Sequence, residues 1–215
     1  MPDSCTVILS TSYLPPIQYF SKFYLCNRIF IEKHENYQKQ SYRNRCVIYA
    51  ANGPLILVIP IKKKQGTKLK ISDIKIDYDL DWQKLHWKSI VSAYKNSPYF
   101  DFYEEKFTHF YEKREVFLLD LNNRILKELL ENFYISKFPE YSNKYNSEGS
   151  FIDYRQSINP KKRLMKLDST FYPEPYHQVF ADKFGFISNL SIIDLLFNKG
   201  PESSEILKNS IKKGH

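Results

Sequence analysis

Thr6-Val-Ile-Leu-Ser10 is a short apolar, β-branched run bounded by polar positions, the pattern of a buried strand. Ser-Thr-Ser-Tyr-Leu-Pro-Pro follows. Pro15 and Pro16 stop the strand, and Pro16 suits the first turn of a helix. Ile17, Tyr19, Phe20, Phe23, Tyr24 and Leu25 then recur at helical spacing, ending before Asn27. Arg28-Ile-Phe-Ile-Glu32 reads as a second strand. Strand, helix, strand is the order of a βαβ unit, whose two strands run parallel.

Cys46-Val-Ile-Tyr-Ala50 and Leu55-Ile-Leu-Val-Ile59 are β-rich, and the Asn52-Gly53 between them signals a hairpin. Ile71, Ile74 and Ile76 suggest a further short strand. From Trp82 the period becomes helical. One helix runs from Trp82 to about Asn96, and an aromatic one from Tyr99 to about Lys113. A third follows Phe117, with Leu121, Ile125, Leu129 and Leu130 as its stripe and Asp120 or Asn122 as its cap. After Phe133 periodicity fades. Residues 140–150 read as a loop, and Tyr172-Pro-Glu-Pro-Tyr176 as extended. Asn189 is placed to cap a last helix from Leu190 to Phe197, stopped by Gly200-Pro201. The tail from Lys208 reads as frayed. The expected fold class is α/β: an N-terminal βαβ-containing mixed sheet, an aromatic-rich helical middle, and an irregular C-terminal segment packing back on it. Residues 1–138 form the expected core domain, and 139–215 an extension packed on that core.

With 215 residues, 42% of them hydrophobic, the chain is long enough to bury a sizeable core. The formal charge of +8 favours anionic partners. It is spread along the chain, with no zinc-finger, RGG or basic-zipper pattern, so specific nucleic-acid binding is not expected. The run Lys62 to Lys68 reads as a basic solvated turn. Cys5, Cys26 and Cys46 are odd in number and widely spaced, which reads as reduced thiols of a cytoplasmic protein. No signal-peptide pattern opens the sequence. The longest apolar run, Leu55 to Ile61, is well short of the about 20 residues a membrane span needs. Peripheral membrane contact through basic side chains stays open.

The stretch Glu32-Lys-His-Glu-Asn-Tyr-Gln-Lys-Gln-Ser-Tyr-Arg-Asn-Arg-Cys46 is polar although strands flank it. It is either a solvated loop or a site. If the βαβ order holds, it lies beside the 13–19 turn at the carboxyl edge of the sheet, where open parallel sheets bind ligands. Arg43 and Arg45 share a face of an extended segment around Asn44, so they either converge on one anion or pair with Glu32, Glu35 or backbone carbonyls. Lys39 adds charge. Tyr13 in the turn is a candidate substrate contact, and Gln18 and Tyr19 sit at the helix start, where backbone N–H groups favour an anion, with Gln18 the candidate and the Tyr19 ring suited to the core. His34, beside Glu35, is a candidate general base or a structural imidazole. His86, next to Trp87, is either a ligand contact or core. Asp153 and Arg155 are spaced to pair. Gln178 and Asn189 are candidates to fix the C-terminal segment. The glycine-rich nucleotide loops, G-x-S-x-G and H-E-x-x-H are all absent, and five scattered His give no metal-ligand spacing. Nothing names a cofactor.

Tyr13-Leu-Pro-Pro-Ile-Gln-Tyr-Phe20, His34-Glu-Asn-Tyr-Gln-Lys39, Tyr42-Arg-Asn-Arg-Cys46 and Asn52-Gly-Pro54 resemble the WbqC-like family. So do His86-Trp87, Ser97-Pro-Tyr-Phe100, Gln178-Val-Phe, Gly185-Phe, Asn189-Leu-Ser and Asp194-Leu-Leu-Phe-Asn198. Tyr-Leu-Pro-Pro-Ile-Gln-Tyr-Phe is similar to the Bacteroidetes-type branch, where other members carry a Pro-Trp-x-Gly-Tyr-Phe pattern. The resemblance implies a context in surface-polysaccharide (O-antigen-type) biosynthesis and, for one branch, glycine transfer to a sugar. The expected partners are an anionic donor, nucleotide- or carboxylate-bearing, and a sugar acceptor. Lys39, Arg43 and Arg45 would hold the donor and His34 would deprotonate the acceptor. The competing expectation is a non-enzymatic protein-binding component of polysaccharide assembly.

Overall fold

The computed structural model describes residues 5–62, 69–145, 151–161 and 168–212. The basic turn beyond Lys62, the 146–150 part of the polar loop, Lys162, Arg163 and the last three residues lie outside them. The fold is α/β, as the sequence predicts. Strand β1 (Thr6–Ser10), helix α1 (Ile17–Leu25) and strand β2 (Arg28–Glu32) form the βαβ unit. The two strands are parallel, with Val7 against Ile29 and Leu9 against Ile31. Strands β3 (Arg45–Ala50) and β4 (Gly53–Val58) make the expected hairpin, closed at Gly53 with φ 100°. It forms a sheet of its own rather than joining the parallel one. The parallel sheet is completed from the C-terminal segment: β5 (Glu140–Tyr141) pairs with β2, and β6 (Ile152–Asp153) with β1, giving the order β5-β2-β1-β6.

Three helices follow the hairpin: α2 (Trp82–Tyr94), α3 (Phe100–Glu112) and α4 (Leu118–Asn132). Their periodic apolar faces bury Ile90, Tyr94, Phe100, Phe107, Leu121, Ile125 and Leu129 in the core, α2 against β3 and α3 against its helical neighbours. Short helix α5 (Ala181–Phe184) precedes α6 (Ile192–Lys199) and α7 (Ser203–Asn209). Helix α6 is buried on every side from Ile192 to Asn198, so it runs through the core rather than along it. At Gly200, φ is 51°, and an added Cβ would meet the Tyr99 ring at 2.5 Å; only glycine fits.

Several sequence expectations change. The 71–76 stretch is a 3-10 turn, Ile71–Asp73, followed by isolated bridges of Lys75 and Ile76; the spacing of Ile71 and Ile74 buries both from a turn. Neither Asp120 nor Asn122 caps α4. The helix starts at Leu118, leaving Asp120 in its first turn and Asn122 in its interior. Asn189 does not cap α6 but crosses to α1, where its Oδ1 accepts the Gln18 N–H at 2.9 Å and the neighbouring Leu190 carbonyl accepts the Ile17 N–H at 3.0 Å. Helix α7 continues past Gly200-Pro201. The tail through Lys212 is tied down, with Tyr172 N on Ser210 O and Lys212 N on Thr170 O.

The cysteines are also corrected. Cys5 and Cys26 form a disulfide, with Cα atoms 4.9 Å apart. They are distant in sequence, but Cys5 precedes β1 and Cys26 ends α1, and a parallel return brings those points together. Asn27 N and Arg28 N both donate to Cys5 O. Cys46 is free and buried, and burial pushes its thiol up. Among the described residues no helix is long and apolar enough to cross a membrane.

Buried polar groups join the C-terminal segment to the helical middle. Asp194 of α6 is fully buried and accepts from Tyr94 OH (2.9 Å), Tyr176 OH (2.6 Å) and Gln178 Nε2 (3.1 Å). Burial dominates these donors and pushes its carboxyl up to about 6. The folded chain therefore holds this proton more tightly than the unfolded chain. Its contribution to stability is complete below the ordinary value of 3.8 and is lost as pH rises through about 6. Asp194→Asn removes that dependence. The variant's stability relative to the parent should rise by up to about 3 kcal/mol from about pH 4 to pH 7, measured by urea unfolding at both.

Candidate functional site

All four parallel strands deliver polar side chains at their carboxyl ends. Strand β2 ends in Glu32 and β1 in Ser10; Ser142 follows β5, and Asp153 and Arg155 lie at the end of β6. A carboxylate on a buried strand end survives only if every lone pair is met. Glu32 is fully buried, and it is met. Its Oε1 accepts from His34 N (2.7 Å) and Ser142 Oγ (2.6 Å), and its Oε2 from Arg155 Nη1 (3.0 Å). Arg155 also grips Asp153, with Nε on Oδ1 at 3.0 Å and Nη2 on Oδ2 at 2.7 Å. Hydrogen bonding to Asp153 raises its guanidinium pKa further.

The second half of the cluster is a buried fork. Arg43 Nε and Nη2 meet Glu35 Oε1 and Oε2 at 2.8 and 2.5 Å, with side chains only 2% and 4% exposed. Nη2 also reaches Ser10 Oγ at 2.7 Å. The two halves join where Ser10 Oγ donates to Arg155 O at 3.1 Å. Asn122 of α4 also fixes the Arg43 backbone, donating from Nδ2 to Arg43 O (2.8 Å) and Thr11 Oγ1 (3.1 Å).

In front of the fork lies a narrow cleft with room for about one water. Ser10, Thr11, Ser12, Tyr19, Tyr42, Arg43, Tyr154 and Ile158 line it. Tyr19 OH donates to Ser10 O (3.0 Å) and Ser12 Oγ to Tyr42 O (3.3 Å). Burial pushes the Tyr42 hydroxyl up to about 12 and raises Tyr19 further. The 32–46 segment and the chain after β6 also meet in exposed contacts: Gln38 Nε2 donates to Gln156 Oε1 (2.8 Å), and Lys161 Nζ to Lys39 O (3.0 Å).

A family model described as the WbqC-like protein family matches residues 11–161, which take in the cleft lining from Thr11 to Ile158. The chain belongs to the WbqC-like protein family. It is also 26% identical over 227 residues to a Mycobacterium tuberculosis (strain ATCC 25618 / H37Rv) protein, "Uncharacterized protein Rv1507c", the match covering 94% of this chain and 96% of that one. No solved structure matches it significantly.

The WbqC-like signature residues separate into two groups. Glu35, Arg43 and His34 gather at the strand ends. His34 Nε2 lies 3.1 Å from Ser142 O, which only accepts, so Nε2 carries the proton and Nδ1 is the basic nitrogen of the neutral ring. Lys39 is exposed. Arg45 makes no hydrogen bond among the described residues and its Nε is buried without a partner; burial pushes the Tyr37 hydroxyl up, and the nearby Arg45 and Arg43 charges offset part of that rise. The two guanidiniums therefore do not converge on one open anion site, because Arg43 is spent on Glu35.

Tyr13, Gln18, Asn44 and His86 go elsewhere. Tyr13 is fully buried, with its hydroxyl between His86 Nδ1 (3.0 Å) and Tyr111 OH (2.9 Å). Burial depresses the His86 pKa to about 4, so it stays neutral in the core. Gln18 clasps the C-terminal segment through Asp168 Oδ2 (2.9 Å) and Asn189 Nδ2 (3.2 Å). The first N–H groups of α1 are already taken by Leu190, Asn189 and Pro16, so no anion docks there. Asn44 holds Ile59 O at 2.8 Å. Sequence reasoning missed Ser10, Ser142, Tyr42 and Tyr154. A visible signal was Glu32, a carboxylate closing an otherwise apolar strand; its partners come from β-strands of two residues, too short to show a period.

The fork sets what Arg43→Ala does to the fold. The substitution strands a buried Glu35 and should cost about 3–5 kcal/mol. The double variant Arg43→Met/Glu35→Leu, which removes both charges, should recover most of that loss. Chemical unfolding of both checks it; an unchanged Arg43→Ala midpoint overturns it.

Proposed function

We propose that the chain is a transferase of bacterial surface-polysaccharide biosynthesis, of the Bacteroidetes-type branch, working at the carboxyl edge of its parallel sheet. The observation carrying this reading is that the 10–19 turn and the 32–46 segment meet in one narrow cleft backed by paired buried charges. A flat face would have favoured the binding-module reading. Burying two carboxylate–guanidinium pairs costs desolvation energy that apolar packing avoids, which supports a positional role for them. The anionic part of the donor, nucleotide- or carboxylate-bearing, is held by Lys39 and Arg45, whose charges meet no carboxylate among the described residues. His34, oriented through Nε2 by Ser142, takes a proton from the acceptor amine or hydroxyl on Nδ1. The Glu35–Arg43 fork holds the wall between them. Exposed Leu55, Ile56 and Val58 on β4 support the second reading, a protein-binding surface.

Purified protein is incubated with nucleotide-linked and carboxylate-bearing donors and sugar acceptors, and products are followed by mass spectrometry. His34→Ala should lower turnover by about 10²-fold or more with donor affinity unchanged, and Lys39→Glu should weaken donor affinity. Full turnover in His34→Ala rejects the base.

A further inference from the structure

We infer that the cleft at the end of β1 takes an uncharged hydroxyl group of the substrate, as on a sugar ring, and not its phosphate or carboxylate. This rests on the functional reading above and assigns the two halves of the substrate to different places. Three donors lining the cleft are unspent. Arg43 uses Nε and Nη2 on Glu35 and Ser10, and Nη1 carries no hydrogen bond among the described residues. The Tyr42 hydroxyl has no protein partner among them either. Thr11 Oγ1 accepts from Asn122, which leaves its own proton free.

Donors alone would suit an anion, but two facts select against one. The first is charge. Glu35 meets Arg43 through both oxygens in a buried fork, so the cleft presents hydrogen-bond donors with the positive charge already balanced. An anion entering beside Glu35 would lose its hydration for little Coulombic return. The second is size. Space for about one water matches a single hydroxyl oxygen, whereas a carboxylate or phosphoryl group brings two or more. Tyr42 and Thr11 can also accept, so a hydroxyl can donate as well as receive. The rings of Tyr19, Tyr42 and Tyr154, with Ile158, add apolar surface for the C–H face of a ring. Lys39 and Arg45 meet no carboxylate among the described residues and are not part of the cleft lining, and at exposed Lys39 an anionic group keeps part of its hydration.

Saturation-transfer NMR on the full chain tests this, with glucose as the neutral probe and inorganic phosphate and acetate as the anions. Transfer to glucose should be seen, persist at high salt, and be lost in Tyr42→Phe. That variant removes a hydroxyl without a protein partner and should melt like the parent. Displacement of glucose by phosphate or acetate, absence of transfer to glucose, or transfer surviving in Tyr42→Phe each overturns the inference. The functional reading fails separately. If His34→Ala keeps full turnover while glucose still binds, the transferase mechanism falls and the cleft assignment stands. If phosphate displaces glucose while His34→Ala is inactive, the reverse holds.

Discussion

The buried fork between Glu35 and Arg43 is the contact on which the sheet edge depends. Each partner is made tolerable only by the other, because an isolated charge at that depth costs several kcal/mol. Glu35 comes from the segment after β2, and Arg43 from the turn that leads into β3. Their meeting therefore fixes the path of the loop between the parallel sheet and the hairpin. Ser10 joins from β1, and the Arg155 carbonyl from the end of β6. One ionic contact thus sets the relative height of three chain segments and the shape of the cleft before them.

A second ionic group, Glu32 with Arg155 and Asp153, works beside it in a different way. It holds β6 to the sheet from which it is separated by more than a hundred residues. Strand β6 has only two residues and two backbone partners. Such a strand adds little by itself, so side-chain pairing at its end takes over the work of a longer ladder. Ser142 does the same for β5 by bonding the other oxygen of Glu32. The sheet is widened by charges at its edge as much as by its backbone.

Elements with a strong period were legible in the sequence. The βαβ opening, the Asn-Gly hairpin and helices α2 to α4 needed no tertiary information beyond an apolar face. The carboxyl edge was legible as a place, because parallel strands carry their polar loops at one end. Individual roles were not. Gln18 and Asn189 looked like a helix-start ligand and a local cap, and they turned out to meet each other across the fold. Arg43 and Arg45 looked equivalent by alternation, yet only one found a carboxylate at the right depth. Strand spacing gives direction but not what waits there. The disulfide was hidden for the same reason: its proximity is a product of parallel return, not of sequence distance.

The crossing of Asn189 and Leu190 to the start of α1 has a consequence for synthesis. The chain emerges from its N-terminus, so α1 is made early while the groups that satisfy its first N–H donors come some 170 positions later. Lys22, buried in the same helix, also waits for Asp168. Until then the first N–H donors of α1 and the Lys22 amine lack those partners, and the βαβ unit stays unfinished at the start of its helix. Its completion is therefore among the last events of the nascent chain. A ribosome-bound fragment stopping before residue 168 would hold the cleft-lining segments without the partners that complete the start of α1.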